Sequence, residues 1–182
     1  GNLLALIENI AGTEPNSEGY HTVFGIRFSQ YVKNDYDFRY YVMKSKNHQV
    51  AMRAAFGIAI PYGNSIDIPF EKGFYGGGAN GMRAWPLRYL GPGAYPNTNP
   101  DIERVGDFQV EANIEYRFSI YKIFKAALFY DIGNIWYLKE NETFPGGELN
   151  LQEFPGELAM DAGVGLRLDF GYFIFRIDVA QR

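Results

Sequence analysis

The chain contains no cysteine. That absence excludes a disulfide scaffold, thiol catalysis and a cysteine-ligated zinc site. Histidine is almost as scarce: there are two, His21 and His48, both near strand starts or turns. No Ser-His-acid set and no metal-ligand spacing can be assembled. No catalytic residue, cofactor or metal ligand is therefore assigned, and the chain reads as a non-enzyme. Positive charge is not in excess. The 17 Lys and Arg against 21 Asp and Glu leave a formal net charge of -4, so the electrostatic footprint of a nucleic-acid binder is missing. Long apolar runs are missing as well. Nothing approaches the roughly 18 consecutive apolar residues of a transmembrane helix. This does not exclude a membrane, because a barrel strand crosses with only about 9–11 residues and its polar face lowers the mean hydropathy, here -0.23. No signal peptide is visible, and Gly1 followed by strand-like Leu3-Leu4-Ala5-Leu6 reads as a cut fragment.

What is present is an aromatic- and glycine-rich chain of 182 residues with 14 Tyr, 15 Phe and 21 Gly. Its hydropathy has a period of two. From Phe108 to Ile120 the even positions are apolar throughout, and the odd ones are Gln109, Glu111, Asn113, Glu115, Arg117 and Ser119. Residues 124–132 set Phe124, Ala126, Leu128, Tyr130 and Ile132 against Lys125, Ala127, Phe129 and Asp131. Residues 158–170 and 172–179 repeat the alternation, with Asp161, Gly163, Gly165, Arg167 and Asp169, then Arg176 and Asp178, on the polar side. Earlier, 36–42 and 49–60 alternate in the same way. Phe24, Ile26 and Phe28 share a face, the parity slips near Gln30-Tyr31, and 3–10 is a less polarised candidate. The sum is about eight strands, with no helix, repeat or linker. Turn signals fall at Lys33-Asn34-Asp35, Lys46-Asn47, Ile120-Tyr121-Lys122 and Gly171, whereas the connections after 60 and 136 are long.

The faces choose between two all-β architectures. A soluble barrel keeps apolar side chains inside, and a membrane barrel turns them toward lipid. The polar faces here carry Gly163, Gly165, Ala127, Ala159 and sparse charges of both signs, which suit a crowded lumen better than an open surface. The apolar faces end in aromatics such as Tyr116, Phe118, Phe124, Phe170 and Phe173, as an interfacial girdle does. Short turns alternating with long loops fit the same reading. The expectation is an antiparallel transmembrane β-barrel.

The long segment 76–93, GGGANGMRAWPLRYLGPG, is too long for an idle connection between strands. It is no phosphate cradle, because no Gly-Lys-Ser/Thr follows its glycines. Arg83, between Met82 and Ala84-Trp85, is expected to fold inward over the polar lumen. Its planar fork suits two carboxylates, and Glu115 and Asp131 point inward from consecutive strands. Lys125 is an equal candidate to neutralise Glu115. Glu111, Glu115, Asp161 and Asp169 read as lumenal charges balanced by Arg117, Arg167 and Arg176 rather than as catalytic carboxylates. Trp85 and Trp136 read as packing and interface aromatics.

These residues resemble those of the BamA/TamA-type outer-membrane assembly factors, the bacterial surface antigen family. Gly77-Gly78-Ala79-Asn80-Gly81-Met82-Arg83-Ala84-Trp85 is similar to the family's lumenal-loop motif, and Phe129-Tyr130-Asp131-Ile132-Gly133 is similar to its Phe-x-Asp-x-Gly strand motif. Residues 106–118 and the run from Ala162 to Arg167 resemble neighbouring strands, and Leu90-Gly91-Pro92-Gly93 resembles versions from Bacteroidetes. The resemblance implies that Arg83 is anchored inside the barrel by Glu115 and Asp131. It implies a protein of the bacterial outer membrane that inserts or translocates nascent outer-membrane or surface proteins by templating strands at a lateral seam. It also implies periplasmic domains of the same chain and accessory lipoproteins as partners, besides outer-membrane lipid. The alternatives are a secretion pore or passive channel, a lumenal hydrolase and a soluble ligand-binding barrel. Two departures stand out. Ala84 occupies the place of a usual glycine, so the tightest part of the loop is expected to differ in backbone. Residues 1–182 also read as one C-terminal portion of a barrel of about twice as many strands, without its closing strand or periplasmic domains.

Overall fold

The computed structural model describes residues 19–23, 26–45, 47–96 and 102–182. The candidate strand 3–10 and Phe24 lie outside the described residues. Alternation of apolar and polar side chains produces six long antiparallel strands joined in sequence order into one sheet. After a short hairpin of β1 (Thr22–Val23) and β2 (Ile26–Arg27), the sheet runs β3 (Tyr31–Ser45), β4 (His48–Pro61), β5 (Phe108–Tyr121), β6 (Phe124–Trp136), β7 (Ala159–Asp169) and β8 (Ile174–Gln181). β3 to β6 have 13 to 15 residues each, enough to cross a bilayer at a tilt. Among the described residues β3 and β8 are the two edges, and they do not pair with each other.

All short turns lie at one end of the sheet, between β3 and β4, β5 and β6, and β7 and β8. Both long connections, 62–107 and 137–158, lie at the other. The expected turn at Lys33-Asn34-Asp35 does not form. Those residues lie inside β3, in register with Ala59, Ile58 and Gly57. Pairing along the whole of β4 outweighs a local turn preference, and Lys33 Nζ is held by the Lys72 carbonyl at 2.8 Å. The parity slip near Gln30 is not a bulge within a strand. It falls in the segment joining β2 to β3, where Gln30 Oε1 accepts the Asn64 amide at 2.8 Å and Ser65 Oγ accepts the Gln30 amide at 2.7 Å. Contrary to an expectation of no helix, the long connections hold a 3-10 turn at Phe70–Lys72 and one α-helical turn at Phe154–Glu157.

Burial on the two faces is the reverse of a soluble protein. Phe38, Tyr40, Phe56, Leu128, Val164, Phe175 and Val179 are exposed, with Val179 at 66%. Glu111, Glu115, Asp131, Asp161 and Arg167 are buried, with Asp131 at 0%. A contiguous apolar face of this extent is unsuited to water and suited to hydrocarbon. The loop packs against the polar face. Trp136 does not sit at a lipid interface. It is fully buried beneath the long loops, stacked on Phe154 at 4.8 Å, and its indole N–H donates to Glu157 at 2.5 Å.

Candidate functional site: the loop arginine and its lumenal cradle

The described part of the connection, 62–96 and 102–107, folds back into the lumen as a doubled segment. Its two arms join through Phe74 and Gly106, and through Gly76 and Leu90. Gly77 and Gly78 have φ of 95° and 90°, a region that side chains rarely adopt. A Cβ on Gly77 would also collide with the Pro86 carbonyl. The Gly78 amide donates to the Trp85 carbonyl at 2.8 Å, closing the loop tip around Arg83. Met82, Trp85 and Leu90 make a small buried core, with Ala84 and Ala159 packed against it. The tip thus carries its own apolar anchor to β7, and Arg83 projects from that anchor toward the polar wall.

Register determines what it meets. Asn113 is opposite Asp131, and Glu115 is opposite Phe129. Arg83 donates from Nε and Nη2 to the two oxygens of Asp131, both at 2.8 Å, and from Nη1 to Glu115 Oε2 at 2.6 Å. Its guanidinium lies 3.5 Å from the centroid of the Phe129 ring, a stacked cation–π contact in a place shielded from water. The Phe129 ring in turn requires Gly163 across the strand pair, since a Cβ there would overlap it. Gly133 lies opposite Glu111, where a Cβ would approach the Val110 carbonyl to 2.6 Å.

Residues that motif reading did not assign complete the cradle. Asn113 donates to Asp131 at 2.9 Å and to the Gly81 carbonyl at 3.1 Å, tying the acid to the loop backbone. Asp161 accepts the Ala84 amide at 3.2 Å. Glu115 also accepts from Arg167 at 2.7 Å and from Arg117. Parity already put these side chains on the lumenal face, but only register shows that they share one acid. Lys125, the alternative partner of Glu115, pairs instead with Asp169 at 2.5 Å. Ala84 does not force an unusual backbone. Among the described residues the non-glycine positions with positive φ are Arg88 and Lys122, so the ordinary conformation of Ala84 accepts its methyl group, which packs in the loop core.

The two long connections brace each other above this site. Asn134 donates to the carbonyls of Gly93 at 3.0 Å and Glu157 at 2.6 Å, and Tyr95 meets Phe144 edge-on at 5.1 Å. Burial, with a smaller contribution from nearby Asp107 and Asp67, pushes the Tyr137 phenol up to about 12. Burial likewise raises the Asp107 carboxyl above its ordinary range.

An apolar outer face, a polar lumen and a loop locked inside by a buried arginine define a transmembrane β-barrel wall of the bacterial outer-membrane type. The chain belongs to the Omp85 superfamily, whose domain model matches residues 17–182. It is 28% identical over 112 residues to the outer membrane protein assembly factor BamA of Neisseria meningitidis serogroup B, covering 59% of this chain and 14% of that protein. The fold matches the crystal structure of BamA from Haemophilus ducreyi lacking POTRA domains 1-3, with a TM-score of 0.67 and 17% identity over 84% of this chain and 31% of that one. The chain therefore spans a minor part of the length of each relative.

Proposed function

We propose that this barrel wall belongs to a factor that inserts or translocates nascent outer-membrane or surface proteins, and that the Arg83 cradle holds the loop in its working position. The observation that carries the reading is the buried grip of Arg83 on Asp131, Glu115 and Phe129, in a chain similar to an assembly factor. Three polar contacts and a stacked ring are more than a connecting loop needs, so the loop is held to a set geometry against strands β5 to β7. The proposed work is backbone pairing with incoming strands at a lateral seam. It makes and breaks no covalent bond. Outer-membrane lipid, client proteins, periplasmic domains of the same chain and accessory lipoproteins are the partners of this reading.

The test uses the full-length protein in its own outer membrane. Arg83→Ala and Asp131→Asn are expected to lower the yield of folded client barrels, read as heat-modifiable species on gels, while the variant protein itself is still present in the membrane. Wild-type assembly by both variants rejects the role of the cradle. A secretion pore or passive channel instead predicts a large conductance in planar bilayers that rises when the Arg83 grip is cut.

A further inference from the structure

Beyond the loop cradle, the short-turn end of the lumen holds a second group of charges. Lys125 of β6, Arg167 of β7 and Arg176 of β8 stand directly opposite one another across three adjacent strands. Like charges in direct register across a sheet destabilise it. Such a row needs a reason, and its own counter-ions do not use it up. Lys125 has Asp169, and Arg176 has Asp178 at 3.0 Å. Arg117 and Arg167 share the single carboxylate of Glu115, which Arg83 also occupies. Arg167 is buried, and its Nη1 has no hydrogen-bond acceptor among the described residues. Asp178 Oδ1 is 3.9 Å from that nitrogen, within ion-pair range but beyond hydrogen-bonding distance.

These four cations line one open cavity of about 500 Å³, together with Gln49 and Asp169. Arg117 and Lys125 are more than a third exposed there. The charged lining residues all lie on the polar side of their strands and so face the lumen, while His48 and Phe118, of the opposite parity, form the rim at the turn end. A polypeptide entering the lumen from the short-turn end meets these cations before it reaches the Arg83 grip, and Arg176, the innermost, also donates to the Ala79 carbonyl and Asn80 Oδ1 of the loop tip. We propose that this cavity is a carboxylate-binding vestibule that receives an acidic stretch of an extended polypeptide. Three arginine forks and a lysine supply the planar and the point-charge donors that several carboxylates on one chain require. The identity of the occupant rests on the assembly reading above, but its binding is measurable apart from assembly.

The test is equilibrium binding of a fluorescein-labelled tetra-aspartate peptide, blocked at both ends, to the full-length protein in detergent micelles. Tetra-asparagine with the same label is the neutral control. Binding of tetra-aspartate is expected, weakening by at least about tenfold between low salt and 0.5 M salt, since exposed charges are screened at that ionic strength. Lys125→Gln and Arg117→Gln, the two more exposed cations, are each expected to weaken it about threefold or more. Lys139→Gln, at the opposite end of the barrel, is expected to leave it unchanged. Heat-modifiability on gels confirms that each variant is folded, and the salt series on the unmodified protein stands by itself if one is not. Equal binding of tetra-asparagine, or indifference to both vestibule substitutions, overturns the proposal. Displacement by acetate at the same carboxylate concentration reduces the cavity to a small-anion site and overturns the polypeptide assignment. Normal binding with failed assembly in Arg83→Ala leaves this site standing by itself, and the reverse result leaves the loop cradle standing without it.

Discussion

Replacing Arg83 by methionine is the sharpest perturbation the structure offers. The substitution keeps much of the side-chain volume and removes only the guanidinium. Asp131 then keeps the Asn113 amide at 2.9 Å and the residue 83 backbone N–H at 3.4 Å, and loses both charged donors. Glu115 keeps Arg117 and Arg167. One buried acid is stranded and the other is not. Breaking a buried ion pair from one side costs about 3–5 kcal/mol, and the survival of two arginines on Glu115 places this case toward the lower end. Neutralising the acid as well, in Arg83→Met with Asp131→Asn, removes the stranded charge. The double variant is therefore expected to cost less than the sum of the single ones by about 1–3 kcal/mol, the range for residues in direct contact. The assay is urea unfolding of the full-length protein in detergent, followed by tryptophan fluorescence, with limited proteolysis of the loop as a local readout. Arg88→Met is the control, since the Arg88–Glu103 pair is much more exposed and is expected to cost at most about 1 kcal/mol. Additivity of the two substitutions within about 0.5 kcal/mol refutes the direct coupling. A cost for Arg83→Met no larger than that of the control refutes the burial argument.

Three further outcomes follow from local geometry. Gly163→Ala drives a methyl group into the Phe129 ring and the Val179 carbonyl, so a loss of about 1–3 kcal/mol is expected in the same unfolding assay, together with faster proteolysis of the loop. Ala84→Gly removes a methyl group from the loop core and adds backbone freedom without relieving any strain. It is expected to destabilise the loop by about 0.5–1 kcal/mol, whereas faster assembly or greater stability in that variant contradicts the backbone placed here. Tyr137 has a folded value raised from 10.0 to about 12, so its contribution is complete below pH 10 and fades as pH rises toward 12. The difference in ultraviolet titration between the unmodified protein and Tyr137→Phe is expected to show a tyrosine ionising near the upper end of that window, and a midpoint near 10 refutes its burial.

Much of the wall was legible because strand parity is a local property. Phe108 to Ile120 alternates without a break, and the strand observed there extends only one residue further. The same reading missed the strand character of Lys33 to Asp35, where three turn-favouring residues sit opposite Ala59, Ile58 and Gly57. Their conformation is imposed by a partner strand, and nothing in the local sequence announces it. Trp136 looked like an interface aromatic because its strand is membrane-spanning. Its burial comes from loop residues Phe154 and Glu157, which a strand-by-strand reading cannot bring near.

By itself, the sequence determined that the chain forms strands, which side chains share a face, and that one arginine in a long glycine-rich loop requires acidic company. Period-two alternation is enough for that, because successive side chains on a strand point to opposite sides. Parity offered Glu115 and Asp131 as partners of Arg83, and only the tertiary structure decided that it holds both at once. The partners lie 32 and 48 residues away in the chain, and a shift of one residue in register would have turned Glu115 or Asp131 toward lipid. It also assigned Lys125 to Asp169 rather than Glu115, and set Lys125, Arg167 and Arg176 side by side. Parity fixes the face of a residue, whereas pairing along entire strands fixes its neighbours.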